Sequence, residues 1–305
     1  MNRTTHLTLA LAACAAPGLA AACACGCGVF DVGTSSMFPT GTGGMVFIEQ
    51  DFMDQNQNWS GTASAAALNN SDQRIRTNFW TMGAQYTFTR SWSVAVEVPY
   101  WDRLFDTIGD TGTLGTFNHS AQGDVRVKGI YTGLSPDLST GITFGVKLPT
   151  GDSTYANFDP DTEIGTGSTD LLLGAYHLDR FGADSSWSWF ANAQWEQPVA
   201  HKAIYRPGAE IDAVVGTYYR GWNFGGSVRI TPVLQIEGAY RRHDGGTLGQ
   251  PQDSGYTRAF LTPGIELDTG NVRIYADVAN AVYTNSSGNQ LMARTLFKLN
   301  ISAAF

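Results

Sequence analysis

Three cysteines alternate with small residues in Cys23-Ala24-Cys25-Gly26-Cys27. In an extended tail, alternate side chains fall on one side. Thiolates gathered that way can hold a soft ion such as Cu(I) or Zn. Three ligands leave a coordination position open or call for a partner. An oxidising compartment disfavours persistent thiols unless a metal protects them. Lipidation of Cys23, or a tail of oxidised cysteines without a site, are the other readings of the same residues. A second group lies in the stretch 152–163, which ends Asp159-Pro160-Asp161-Thr162-Glu163. Carboxylate oxygens suit Ca²⁺, but the spacing is not that of an EF-hand loop. A solvated acidic loop is the simpler reading; a loop that folds into a lumen and narrows it is the other.

Five histidines occur, and His6 belongs to an N-terminal leader. His119-Ser120 and His243-Asp244 fall at strand ends, and His177 lies mid-strand as a lumen or packing residue. Covalent hydrolysis needs nucleophile, base and orienter together. No Gly-x-Ser-x-Gly elbow or barrel-enzyme motif is present. The sequence reads as no enzyme, with no cofactor apart from a soft metal ion at the cysteine tail.

The remaining charges alternate with apolar residues. Ile142, Phe144, Val146 and Leu148 share one face, against Thr143, Gly145 and Lys147 on the other. Val125 and Val127 alternate with Arg126 and Lys128, and Val272 and Ile274 with Arg273 and Asp277's face. This is the period of half-buried strands. Twelve candidates follow, near 44–53, 74–89, 92–105, 120–133, 139–150, 167–180, 186–198, 209–221, 225–243, 255–268, 271–284 and 290–305. Short connections alternate with long ones, at 54–73, 106–119, 151–166, 199–208 and 244–254. An even strand count with that alternation fits a closed antiparallel transmembrane β-barrel with tight periplasmic turns and long outer loops. Aromatic residues that end the apolar faces (Tyr86, Phe88, Tyr100, Trp101, Trp187, Trp189, Trp195, Tyr240, Tyr283, Phe297) fit interfacial girdles.

Composition agrees. Charged residues are 15% and aromatics 12% of 305 residues, which excludes a disordered chain. No apolar run of about 20 residues follows the N-terminus, so helical spans are excluded. A net charge of −8, with 15 Arg and 4 Lys, argues against nucleic acid as partner. Arg3, the apolar stretch Leu7 to Ala16, the break at Pro17-Gly18 and Ala20-Ala21-Ala22 before Cys23 have the layout of a signal peptide, residues 1–22. Leu11-Ala12-Ala13-Cys14 is also readable as a lipoprotein box. The expected division is then 1–22 signal peptide, 23–43 periplasmic cysteine-containing segment and 44–305 barrel. A terminal Phe305 on an alternating strand resembles the assembly signal of outer-membrane proteins.

Several motifs carry a family resemblance. They are Gly123-Asp124-Val125-Arg126-Val127-Lys128-Gly129, Gly145-Val146-Lys147-Leu148-Pro149-Thr150-Gly151-Asp152, Gly165-Thr166-Gly167-Ser168-Thr169-Asp170-Leu171-Leu172-Leu173-Gly174, and Pro232-Val233-Leu234-Gln235 running to Tyr240-Arg241. Over residues 44–305 the chain resembles the outer-membrane transporter family named for the meta-cleavage pathway of phenol degradation. The resemblance implies a barrel that passes small, often aromatic, compounds. It supplies no catalytic residues and does not reach the cysteines.

The expectation is a twelve-stranded outer-membrane channel for passive passage of small solutes. Its partners are outer-membrane lipid, the solute and the outer-membrane assembly machinery. Arg126, Lys128, Lys147, Arg229, Arg241, Arg258, Arg273, Arg294 and Lys298 are the expected lumen cations, with Glu97, Glu237, Glu266 and Asp277 as counter-charges. The alternative is a plugged structural or anchoring barrel that presents a metal-binding tail, Cys23, Cys25 and Cys27, in the periplasm.

Overall fold

Period-two alternation requires a sheet with a different medium on each face, and the chain forms one. The computed structural model describes residues 42–67, 70–182, 186–219, 222–224 and 228–305. The leader and the cysteine tail lie outside these residues. The strands are β1 (Gly43–Gln55), β2 (Gln57–Gly61), β3 (Ala63–Ser64), β4 (Arg74–Thr89), β5 (Trp92–Ile108), β6 (Leu114–Gln122), β7 (Arg126–Tyr131), β8 (Thr140–Lys147), β9 (Thr169–Phe181), β10 (Trp187–Ala200), β11 (Glu210–Tyr219), β12 (Trp222–Phe224), β13 (Val228–Arg241), β14 (Tyr256–Asp268), β15 (Val272–Met292) and β16 (Thr295–Ala304).

Twelve of them make the wall: β1, β4, β5, β7, β8, β9, β10, β11, β13, β14, β15 and β16, each antiparallel to the next. β16 pairs back onto β1, from Met45↔Ala304 to Met53↔Leu296, and closes the sheet. Closure satisfies every wall strand's backbone where lipid offers no partner. The last residue completes the seam. Gly44 N donates to Phe305 O and Phe305 N to Gly44 O, both at 2.9 Å. The Phe305 ring fills the space beside Gly44, where an added Cβ would lie 2.3 Å from it.

The two faces of the wall differ as a bilayer demands. Val46, Ile48, Val94, Val96, Leu171, Leu173, Val215, Leu234, Ile236, Leu261, Ile265, Leu299 and Ile301 are exposed on the outside. Trp92, Trp187 and Trp222 are exposed toward the short-turn end, and Trp80, Tyr100, Trp195 and Tyr240 toward the long-loop end. These are the interfacial belts of a membrane barrel. Trp101 departs from the expected girdle. It turns inward and meets Phe79 edge-on, with ring centroids 4.8 Å apart.

Three expected boundaries are corrected. The stretch 106–119 is not a loop throughout, because β5 and β6 continue past the wall as a hairpin paired from Tyr100↔Gln122 to Ile108↔Leu114. The stretch 54–73 carries β2 and β3, and β2 pairs with the outer part of β15. The strand expected at 120–133 is split between β6 and β7. Its break has a local cause. The Asp124 carboxylate accepts from Gly151 N at 2.9 Å, Thr166 N at 2.8 Å and Thr166 Oγ1 at 2.6 Å. Residue 124 is thereby committed to the segment 148–168 rather than to the ladder.

Candidate functional site

Inside the wall, alternation places charge where a soluble sheet would place its core. Most of that charge is paired. Lys128 Nζ lies 2.9 Å from Glu97 Oε2. Lys147 bridges Glu196 Oε1, at 2.5 Å, and Asp170, while Arg126 Nη2 reaches Glu196 Oε2 at 3.2 Å. The register explains the cluster, since Glu97, Arg126, Lys147 and Asp170 are successive cross-strand partners. Lys298 Nζ lies 3.3 Å from Glu49 and 3.5 Å from Asp51. Arg229 and Arg273 both approach Asp268, beside the short turn between β14 and β15. Arg241 Nη2 donates to Asp244 at 2.8 Å, beside a long loop.

Glu237 and Asp277 are joined through neutral groups. Gln235 Nε2 donates to Glu237 at 2.6 Å and to the Tyr275 hydroxyl at 3.2 Å. That hydroxyl also hydrogen-bonds Asp277. Glu266 and Arg258 are buried on the same face. Arg294 stands apart, exposed in the two-residue break between β15 and β16. Some inward rings take the space left by glycines on a neighbouring strand, as Phe47 does at Gly83, Tyr176 at Gly141 and Phe190 at Gly216. Such packing holds the rings to the wall.

Sequence reading missed Glu196, Asp170 and Arg103. Glu196 and Asp170 were legible by parity, each sharing a face with buried neighbours. Arg103 lay too near an expected strand end for parity to place it. Lys147→Met should show what the cluster contributes. It leaves Asp170 without its ammonium and Glu196 with Arg126 alone, and breaking a buried pair in this way costs about 3–5 kcal/mol. The barrel should lose its compact, heat-modifiable gel mobility at a clearly lower temperature. An unchanged transition would refute that assignment.

Arg103 organises the long-loop end. Its side chain is fully buried. Nε donates to Thr77 Oγ1 at 2.9 Å, and Nη1 donates to the carbonyls of Thr162 at 2.5 Å and Glu163 at 3.4 Å. Thr162 and Glu163 belong to the 148–168 segment, so the acidic loop does turn inward. Phe158 packs on a buried group of Ile75, Phe105 and Leu291, which come from β4, β5 and β15. The loop leaves from β8 and returns to β9, so this contact carries it across the mouth. Tyr155 stacks on His119 at 3.6 Å between ring centroids, and His119 Nε2 lies 3.0 Å from Asp152. Lys202 Nζ donates to Ser153 O at 2.5 Å and ties the crossing to the next outer loop.

The acids of this end sit in a poor environment for charge. Burial pushes Asp72 up to about 8, and Asp159 and Asp161 nearby add to the rise. Burial also lifts Glu163 to about 7 and raises Asp159, with Asp110 contributing to the latter. Among the described residues no cluster of His, Cys, Asp and Glu has metal-holding geometry. His119 and Ser120 do not act together, since Ser120 Oγ donates to Asp102 at 2.6 Å. His177 accepts or donates at Nδ1 with Thr140 Oγ1, 2.8 Å away.

A closed twelve-stranded wall, apolar outside and charged inside, defines a membrane β-barrel of the outer-membrane class. Solved structures share that architecture. The chain is similar to the COG4313 outer membrane channel from Pseudomonas putida F1, with 13% identity, a TM-score of 0.68, and 90% of this chain and 100% of that one covered. It is also similar to the beta domain of the Bordetella autotransporter BrkA, with 11% identity, a TM-score of 0.52, and 87% and 100% covered. No protein-family profile and no curated protein matches the chain.

Proposed function

We propose that the protein is an outer-membrane channel for passive passage of small solutes, aromatic compounds among them. The observation that carries this reading is the inner face, where buried ion pairs stand among inward aromatic and apolar side chains around a closed wall. Glu97, Arg126, Lys128, Lys147, Arg229, Glu237, Arg241, Arg258, Glu266, Arg273, Asp277 and Lys298 would line the path, with Arg294 at its rim. Fixed charge and bore then set selectivity. The aromatic part of the reading rests on the family resemblance and on the inward aromatic rings.

Arg273→Glu tests the charged path. Beside Asp268 it leaves two acids facing Arg229 alone, where one acid stood between two arginines, at the short-turn end. The reversal potential under a salt gradient should move toward cation preference, by roughly twofold or more in the permeability ratio. Unchanged conductance and selectivity would argue against these residues as path lining.

The loop across the mouth favours a second reading, a plugged barrel that anchors the tail bearing Cys23, Cys25 and Cys27. Deleting residues 23–28 separates the two. Lost metal tolerance with normal solute uptake supports the anchor. Unaltered metal tolerance removes it.

A further inference from the structure

The lipid-facing side of β11, β13 and β14 has a recess in its wall near the long-loop end. Ile211, Tyr240 and Thr257 lie side by side in one cross-strand row, and Val215, Ile236 and Leu261 in another, nearer the short turns. The row between them consists of Ala213, Gly238 and Ala259. Ile211, Tyr240, Val215, Ile236 and Leu261 are exposed, so the three small residues form the floor of a shallow apolar recess. No neighbour fills it, since a Cβ added to Gly238 would meet nothing nearer than 3.7 Å. At Gly83, Gly141 and Gly216 the corresponding space is taken by a ring.

Two arginines stand above the recess. Arg242 follows Tyr240 on the same face, about 7 Å further along the strand, and is exposed. Arg206 is exposed too. It pairs across to Gly245 beyond the ends of β11 and β13, and its guanidinium lies over that glycine, 2.9 Å from where a Cβ would sit. Positions 242 and 245 are at most about 11 Å apart along the chain. Neither guanidinium has a hydrogen-bond or ion-pair partner among the described residues. The carboxylates of this end are engaged on the inner side. Glu210 accepts from the Tyr256 hydroxyl at 2.7 Å, and Asp212 is buried. Buried Asp244 accepts from Arg241 at 2.8 Å, the Tyr205 hydroxyl at 3.1 Å and Gly208 N at 2.7 Å. Tyr240 marks the lipid interface. Arginines just beyond it therefore meet lipid head groups rather than bulk water.

Recess and arginines fit one partner. A guanidinium fork matches the oxygens of a phosphate, and the apolar recess beneath suits an acyl chain. The outer leaflet, at the level of the long-loop end, is built of glycolipid with phosphates on its sugar head. We propose that this face is a docking site for that phosphorylated glycolipid, with Arg242 and Arg206 on its head and the Gly238 recess against an acyl chain. The site lies outside the wall, so it stands whether or not the lumen conducts. Native mass spectrometry of the full detergent-solubilised barrel, titrated with bisphosphorylated lipid A, tests it. The lipid should bind saturably. Arg206→Gln combined with Arg242→Gln should weaken it at least about tenfold. Gly238→Leu, by filling the recess, should weaken it several-fold. Arg90→Gln, beside a short turn, should bind as the wild type does. Inorganic phosphate should not compete. Lipid A should also raise the temperature at which the compact gel band is lost, in the wild type and not in the double variant; the same band confirms that each variant is folded. Equal binding by the double variant or by Gly238→Leu, an equal loss in Arg90→Gln, or full competition by inorganic phosphate would overturn the site.

Discussion

Replacing residues 152–165 with a short Gly-Ser turn should raise the conductance of the barrel several-fold, and Arg103→Ala should approach the same result. Among the holds that keep the segment across the mouth, three come from its middle and end. Arg103 grips the Thr162 and Glu163 carbonyls, Phe158 sits on the Ile75, Phe105 and Leu291 group, and Tyr155 stacks on His119. Arg103 is the decisive one, because its bonds are charge-assisted and its side chain is buried. Each hydrogen bond to a charged group contributes about 1.5–3 kcal/mol. Losing about 3 kcal/mol shifts the balance between docked and released loop by roughly 100-fold. Arg103→Lys keeps the charge but loses the fork, so its conductance should fall between wild type and Arg103→Ala. Unaltered conductance in the loop-shortened barrel would mean that the bottleneck lies elsewhere.

Alkaline pH should release the same loop in the unaltered protein. The docked state holds Asp72 at about 8, far above its ordinary 3.8, with Asp159 and Asp161 of the loop facing it. Burial lifts Glu163 to about 7, with Lys202 offsetting part of the rise and Asp152 and Asp161 adding to it. A group whose docked value is raised favours docking when protonated, and that contribution disappears as pH climbs through the docked value. Closure should therefore be strongest below about pH 6 and weakest above about pH 8. Much of the Asp72 rise comes from burial by its own segment, which persists when the loop leaves. Only the smaller part due to Asp159 and Asp161 is lost when the loop leaves, so open probability should rise as pH climbs through that range. Single-channel recordings across that range measure it. Asp72→Asn should flatten the profile near its upper end, and an undiminished profile in that variant would assign the effect to other groups.

Much of the wall was legible because alternation is a local property. Lys147 among Gly145, Val146 and Leu148, or Arg273 between Val272 and Ile274, declares its face without knowledge of its neighbours. The even strand number and the alternating loop lengths then imply closure. What lay beyond reading depended on distant pairing. Asp124 looks like an ordinary polar residue of a strand, and only the return of Gly151 and Thr166 shows why the strand breaks there. Trp101 sat next to Tyr100, and two adjacent aromatics cannot both face lipid; the sequence did not say which turned in. Arg103 gained its partners from residues about sixty positions later. Mixed inward charge was expected to pair, but the cluster depends on distant strand pairing: register aligns Glu97, Arg126, Lys147 and Asp170, and Glu196 reaches in from opposite Leu172.

Single-channel conductance of the refolded, full-length barrel in a planar bilayer tests the central claim most directly. Discrete conductance steps that grow on shortening the 152–165 loop are the predicted result. Silence from well-folded protein, persisting at alkaline pH and after the loop is shortened, would contradict it and leave a closed barrel that serves as an anchor.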